Sequence, residues 1–531
     1  MSSSFEHAAS VVQARHRGTP HFERTHRNAI IRMVSASLWM IALLSNSNAL
    51  WANDIATPTS KRTNVVLFLV DDLGWADLGC YGSTFHETPQ IDALAASSVQ
   101  FRQAYAACPV CSPTRASILT GRHPVRVGIT DWIPGMAAER VPDRRFQHVT
   151  DLDELPLKEI TIAELLKSAG YQTWFLGKWH LGDQGHYPTD QGFDINIGGC
   201  DKGSPPGGYY SPWKNPQLSA NRDNEYLTTR LTDEAVTLIN TNATDQPFFM
   251  MLSYYNVHTP ITADNRTIDH FRTKAKTLFG TDTADAPLGL PDGRGNTTRS
   301  RQDSADYASM VAAVDTSVGR VLNALQQSGA DDDTLILFFS DNGGLATRPN
   351  PRGRQPRVGP TSNQPLRSGK GWLYEGGIRE PMLIRLPPSM TPGRSGRVCD
   401  AIALSTDLAP TILDVVGLPA SSRHVDGISL LPVLQGNHDA LAAANKRTIY
   451  WHYPHYHGSG WRPGAAVRSG RYKLIEFYEE DICELYDLQT DPGEQHNLAA
   501  DRPTQRDQLR QQLRQWQTQL AATMPTSVKN N

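Results

Sequence analysis

The segment Cys111-Ser112-Pro113-Thr114-Arg115, followed by Ala116 to Arg122, sets a thiol four residues before a guanidinium. Pro113 suits the first turn of a helix, where its missing N–H is not needed. Gly121 suits the helix end. Cys111 then stands at the positive end of a short helix with Arg115 one turn on, on the same face. Such a site favours negative charge. It fits a low-pKa thiolate or an anion pocket around a modified cysteine, and a buried structural thiol is the bland alternative. A second group offers oxygen alone: Asp71, Asp72, Asp341 and Asn342. Hard oxygen donors suit calcium, and less well magnesium, and argue against a pair of zinc ions. A third group, Lys178, His180, His258 and Lys370, supplies cations and proton shuttles. A divalent ion, Arg115 and these lysines together describe a pocket for a doubly charged tetrahedral anion.

These residues need elements to bring them together. Val65 to Val70 runs into Asp71-Asp72, and Thr173 to Leu176 into Gly177-Lys178-Trp179-His180. Phe248 to Leu252 leads to His258-Thr259-Pro260, and Thr334 to Phe339 into Ser340-Asp341-Asn342. Each run has strand length and β-branched or aromatic content. Helical stretches at Thr161 to Ser168, Leu227 to Asn240 and Ser304 to Ser328 separate them. The alternation predicts an α/β fold with a large, mostly parallel sheet flanked by helices. In such sheets ligands bind beyond the carboxyl ends of the strands, so the polar groups are expected in one crevice.

Beyond about residue 435 shorter strands are predicted, at Thr448 to Tyr453, Ala465 to Arg468, Tyr472 to Tyr478 and Glu484 to Leu488. They suggest a small antiparallel sheet. A helix over 503–523 carries Leu509, Leu513, Trp516 and Leu520 as one apolar stripe. The expected organisation is an N-terminal extension and signal peptide over 1–52, a catalytic domain over 62–435 and a C-terminal subdomain over 436–531 of antiparallel sheet plus helix. Residues 280–303 read as a polar surface loop.

The 531 residues carry 51 basic and 54 acidic side chains. That balance gives no nucleic-acid footprint and no polybasic membrane patch. Arg27 and Arg32 precede an apolar run from Leu38 to Leu44, with Ala49 and Ala52 as cleavage positions. This resembles a secretory signal peptide near residues 33–52, with Met33 a credible start, and predicts a secreted or periplasmic protein without stable membrane insertion. Six cysteines are too few for a disulfide scaffold.

Cys111-Ser-Pro-Thr-Arg115 with ASILTGR resembles the signature of the type I sulfatases, on an alkaline-phosphatase-like fold. The resemblance extends to Asn64 to Asp72, Gly177 to Gly182, His258-Thr-Pro260, Asp341-Asn-Gly343, Gly369-Lys370, Glu375 to Arg379, Ser405 to Asp414 and Glu484 to Leu488. It implies that a maturation enzyme oxidises Cys111 to formylglycine, whose hydrate attacks sulfur. It implies that Asp71, Asp72, Asp341 and Asn342, together with residue 111, hold one calcium ion. Arg115 and Lys178 would stabilise the aldehyde hydrate and its sulfate ester. His258 and Lys370 would bind sulfate, His258 protonating the leaving alcohol. His180 would take the proton whose loss expels sulfate.

The substrate is read as a sulfated carbohydrate, because Gly198 to Trp213 and His452 to Trp461 are rich in rings that could stack on sugars. Packing is the competing reading of both stretches. Rival functions are a phosphonate or phosphate ester hydrolase on the same fold, a non-catalytic binder of sulfated glycans, and a thiol oxidoreductase built on Cys108 and Cys111.

Overall fold

A computed structural model describes residues 62–528 apart from 142, 243–245, 281–294, 350–357, 391–395 and 420–422. The signal-peptide reading at 33–52 therefore lies outside the described residues. Arg62–Asn531 forms one compact unit.

The chain lays down β1 (Asn64–Val70), β2 (Val99–Tyr105), β3 (Gln172–Gly177), β4 (Ile195–Ile197) and β5 (Phe248–Ser253). The short β6 (Asn296–Thr298) precedes β7 (Thr334–Ser340), and β8 (Thr347–Pro349) follows it. Then come β9 (Arg379–Arg385) and β10 (Arg397–Leu404). Eight of these form one sheet in the order β10-β2-β9-β7-β1-β5-β3-β4. Only β9 runs against its neighbours. The expected parallel α/β sheet is thus present, with one reversed strand inside it.

The central strands show why their sequences lack alternation. Val65, Leu67 and Leu69 of β1 face one apolar layer with Leu335, Leu337 and Phe339 of β7. Val66, Phe68 and Val70 face the opposite layer with Ile336 and Phe338. Helices Leu227–Asn242 and Ala305–Gln327 cover this second face. The Cys111–Thr120, Ile162–Ser168 and Leu408–Val415 helices cover the first. Both sides of every central strand are therefore core, as covered parallel sheets require.

The C-terminal part forms β11 (Thr448–Tyr453), β12 (Gly464–Ser469), β13 (Tyr472–Phe477) and β14 (Ile482–Asp487), paired antiparallel in that order. Leu509 and Leu513 of the Pro503–Gln519 helix pack on one face, against Ala465, Val467, Leu474 and Leu485. Trp451, Ile475 and Phe477 on the other face meet Trp372, Tyr374 and Val110. One expectation needs correcting. The described end of the 280–303 stretch is not a solvated loop, because β6 pairs with β8 and Asn296, Thr297, Arg299 and Asp303 are buried. Arg299 donates to Asp303 and, at 2.9 Å, to the Gly359 carbonyl, so its polar side chains are consumed internally.

A buried ion cluster fastens this sheet to the segments around Glu375 and Tyr105. Lys473 Nζ lies 2.9 Å from Glu375 Oε1 and 2.9 Å from Glu494 Oε1. Tyr105 Oη donates to Glu375 Oε2 at 2.7 Å. Removing the lysine leaves two buried carboxylates facing each other. Lys473→Met is expected to cost about 3–5 kcal/mol of stability, read as a lower urea midpoint.

Candidate active site

The carboxyl ends of β1, β3, β5 and β7 deliver their polar residues to one point. Asp71 and Asp341 are fully buried, and Asp72 is 2% exposed. Each carboxylate has its own cation. Lys178 Nζ is 2.7 Å from Asp71 Oδ2, and Lys370 Nζ is 2.5 Å from Asp72 Oδ1. Arg115 Nε and Nη2 hold Asp341 Oδ2 at 2.8 and 2.7 Å. Burial works to raise the Asp72 carboxyl, but Lys370, His258 and Lys178 hold it well below the usual carboxylate range. Asn342 Nδ2 donates to Asp72 Oδ1 at 2.8 Å. The glycines beside these residues answer to close packing. A Cβ on Gly343 would lie 1.9 Å from the Gly376 carbonyl oxygen, and one on Gly369 2.2 Å from that of Gly344.

The Cys111–Thr120 helix begins at Cys111 and ends on Gly121 at φ 67°. Its first turn lies under the Lys370 loop, with Lys370 Nζ 3.8 Å from Cys111 Sγ. The thiolate alternative fails here. Burial pushes the Cys111 thiol up, and the pull of Lys178 and Lys370 does not reverse it. Cys108 is also buried, and its thiol is pushed well up by burial. Neither sulfur is set up for thiol chemistry.

One ligand atom from each of Asp71, Asp72, Cys111 and His258 lies within 4.8 Å of the others. Asp71 Oδ1 and Asn342 Oδ1 are buried acceptors with no hydrogen-bond partner among the described residues. Uncompensated buried oxygens of this kind are what a hard cation would satisfy, so the donor set fits calcium. Asp341 sits differently. Its Oδ2 is taken by Arg115, and its Oδ1 accepts the Asp72 N–H at 3.2 Å.

Both histidines use their one ring proton on the backbone. His180 Nε2 meets the Ile133 carbonyl at 2.6 Å, and His258 Nδ1 meets that of Thr259 at 2.7 Å. A nitrogen facing a carbonyl must carry the hydrogen. That leaves His180 Nδ1 and His258 Nε2 as acceptors. Burial, then Lys178, holds His180 well below its ordinary value, and burial and Lys370 lower His258 to about 3.

The sequence did not point to several supports. Ser253 Oγ accepts from Arg115 Nη1 at 2.7 Å and donates to the Lys178 carbonyl at 2.7 Å. The Ile133 N–H donates to Ser112 Oγ at 3.1 Å, which fixes the carbonyl that His180 uses. Asp131 anchors the same segment, accepting from Trp132 N–H at 2.9 Å and Tyr453 Oη at 2.8 Å. Seryl and backbone groups like these carry no pattern that marks them in a chain.

A cavity of about 650 Å³ opens over Cys111, His180, His258 and Lys370. Asp153, Glu154, Asp183 and Asp201 line it, as do Lys202 and His457. The aromatic stretches do not form a stacking platform. Tyr209, Tyr453, Tyr456 and Trp461 are buried, and Tyr209 Oη donates to the Tyr255 and His258 carbonyls at 2.6 and 2.8 Å. Their rings are packing, and the same stretches offer the cavity polar groups instead.

The sulfatase family model matches residues 63–418, and the model for the C-terminal part of N-sulphoglucosamine sulphohydrolase matches 368–522. The chain belongs to the sulfatase family. This sulfatase is 30% identical over 495 residues to human arylsulfatase A, covering 83% of this chain and 84% of that protein. It is 30% identical over 490 residues to human N-acetylgalactosamine-6-sulfatase, covering 84% and 83%. The crystal structure of Ps i-CgsB in complex with k-i-k-neocarrahexaose is similar in fold, with TM-score 0.66, 26% identity and coverage of 86% and 93%. The chain is a sulfuric ester hydrolase. That sets aside the oxidoreductase and the binding-only readings.

Asp131 provides a pH test of the segment that holds His180. Burial, opposed by the Tyr453 hydrogen bond and helped by the Asp151 carboxylate, raises its carboxyl to about 8. A raised pKa means that the folded state binds the proton more tightly than the unfolded chain. Its contribution is present at low pH and is lost as pH rises from about 4 towards 8, at up to about 1.4 kcal/mol per pH unit. Asp131→Asn keeps the acceptor and removes the titration. Chemical denaturation between about pH 5 and about pH 8 should fall less steeply for the variant than for wild type.

Proposed function

We propose that this sulfatase hydrolyses a sulfate ester on a carbohydrate, using formylglycine at position 111 and one calcium ion. The observation that carries this is the start of the Cys111–Thr120 helix, set among Arg115, Lys178 and Lys370, in a site where Asp71 Oδ1 and Asn342 Oδ1 are buried without a hydrogen bond to any described residue. An inert, buried thiol in cationic surroundings makes little sense as a nucleophile and good sense as a precursor. Formylglycine would supply the attacking hydroxyl, and calcium would supply a Lewis acid that polarises the sulfate.

Asp71, Asp72, Asp341 and Asn342 are the residues proposed to hold the ion, with Asp341 also fixing Arg115. Lys370 and His258 are proposed to bind the sulfate oxygens, and Arg115 and Lys178 to stabilise charge at residue 111. His180 lines the same cavity as Cys111, and its Nδ1 is a buried acceptor with no hydrogen-bond partner among the described residues, which suits a proton acceptor in the step that releases sulfate. His258 Nε2 delivers a proton to the leaving oxygen only when the ring is doubly protonated. Asp72 Oδ2, 3.8 Å away, favours that state, while burial and Lys370 oppose it.

A carbohydrate leaving group is supported by the wall of carboxylates and by the relative named for a sugar sulfate. Carboxylates accept hydrogen bonds from sugar hydroxyls. Export by a signal peptide and oxidation by a maturation enzyme complete the reading. Among the described residues no helix is long and apolar enough to cross a membrane.

The test is sulfate release from a panel of sulfated oligosaccharides, using protein co-expressed with a formylglycine-generating enzyme. Release is expected from at least one saccharide, and Cys111→Ala should abolish it. The mass of the peptide carrying residue 111 should report the aldehyde. Calcium should raise the melting temperature of wild type, by an amount that grows with the logarithm of the ligand excess over Kd, and chelation should remove both the shift and the activity. Desulfation of aryl sulfates alone would defeat the carbohydrate reading.

A further inference from the structure

The turn between β11 and β12 brings a residue from the C-terminal sheet to the cavity. His457 lines it together with Lys370 and His258. The backbone of the turn is pinned, since His457 N–H donates to the Trp461 carbonyl at 3.1 Å and Gly460 N–H to that of His457 at 2.9 Å. Trp372 Nε1 donates to the Ser459 carbonyl at 3.1 Å, so the turn is fastened to the Lys370 loop. The ring itself is seated on Gly371, where an added Cβ would lie 1.9 Å from His457 Nδ1. Gly371 has φ 81°, and any other residue there would be strained as well as displaced.

The hydrogen bonds fix which ring nitrogen carries the proton. Ser459 N–H donates to His457 Nδ1 at 3.2 Å, so Nδ1 is an acceptor. Ser459 Oγ lies 2.8 Å from the same nitrogen. The proton of the neutral ring must then be on Nε2. Nε2 makes no hydrogen bond with any described residue. Burial and Lys370 lower the ring to about 3, in keeping with a neutral imidazole.

Depth decides what this donor meets. Cys111 is 2% exposed and Lys370 7%. His457 is half-buried beside the exposed Gly458. It therefore stands outward of Cys111 and Lys370, at the half-buried level that His258 shares, where the alcohol portion of the ester would lie on the proposed reading. A neutral donor is also poorly suited to compete with lysines for an anion.

We propose that His457 is a specificity-determining residue whose Nε2–H donates a hydrogen bond to an uncharged hydroxyl or ring oxygen of the sugar carrying the sulfate. The assignment rests on the carbohydrate reading above. It gives the C-terminal sheet a direct part in substrate choice, through a donor that a simple aryl ester cannot use.

The test compares one sulfated sugar that wild type hydrolyses with one small aryl sulfate, on protein matured in the same way. His457→Phe keeps the ring and loses the donor. It should raise KM for the sugar sulfate about three- to tenfold, the worth of one neutral hydrogen bond, and leave kcat/KM for the aryl sulfate within about twofold. His457→Gln, which can place an N–H near the Nε2 position, should recover part of the sugar KM. Equal losses on both substrates, or an unchanged sugar KM, would overturn the assignment. Should the Phe variant not fold, His457→Asn is read by the same criteria, because it keeps an acceptor for Ser459 N–H but falls short of the cavity. Wild-type activity confined to aryl sulfates would overturn both readings, whereas wild-type sugar activity with unaffected variants overturns this one alone.

Discussion

Three carboxylates buried at the ends of parallel strands set the terms for everything around them. Asp71, Asp72 and Asp341 are each 2% exposed or less. Unpaired, such charges would be prohibitive at that depth. Lys178, Lys370 and Arg115 answer them one for one, and each cation comes from a different part of the chain. The helix over Cys111–Thr120, the end of β3 and the loop before β9 are thereby drawn to the ends of β1 and β7. The pairing is a matter of geometry as much as energy. A buried ion pair adds little net stability over apolar packing, but losing one partner is severe. The cluster thus penalises any arrangement in which those segments sit elsewhere.

The surroundings make that arrangement rigid. Two apolar layers clamp the sheet from either side and hold the strand ends in register, with β1 paired residue for residue to β7 from Asn64↔Thr334 to Val70↔Ser340. Asp341 N–H donates to the Val70 carbonyl at 3.1 Å and Asp72 N–H to Asp341 Oδ1 at 3.2 Å, which locks the two acidic turns together. Asp72 and His180 both adopt φ 59°, in the left-handed region. Such backbone is costly for residues other than glycine and persists where the surroundings over-determine it. Here it turns side chains inward at the points where the strands end.

What could be read from the chain follows the same logic. β1, β3, β5 and β7 were legible because central strands buried on both faces are uninterrupted apolar runs, and those of β1, β3 and β7 are followed at once by a polar turn. The helix at Cys111 was legible through Pro113 and Gly121. β2, β9 and β10 were not. Arg102 and Gln103 interrupt the first, Glu380 and the flanking Arg379 and Arg385 mark the second, and Asp400 breaks the third. Glu380 is fully buried in a strand, where only tertiary context could place it. The aromatic stretches misled for the opposite reason. Their rings looked available in the sequence, but burying a large ring outweighs displaying it, and Tyr453, Tyr456 and Trp461 went inside. Ile133, Ser253 and His457 were beyond reach because their parts depend on a carbonyl direction, a hydroxyl within one hydrogen bond, and a turn from another sheet.

The charge balance of the centre explains why an anion belongs there on the proposed reading. Three carboxylates and three cations sum formally to zero (−3 + 3), so the bare set has no strong preference for an anion. A divalent cation on the partnerless oxygens leaves two positive charges. A sulfate monoester brings one negative charge into that field, and sulfate as it is released carries two. On that reading the match improves in the step that frees sulfate from residue 111. An interaction that strengthens along the reaction lowers the barrier, whereas one that is equally strong at the start only tightens binding. Closely matched buried pairs would thus have a catalytic consequence: they hold the bare residues near neutrality, and the field that an ion would add favours the second negative charge that sulfate gains as it leaves residue 111.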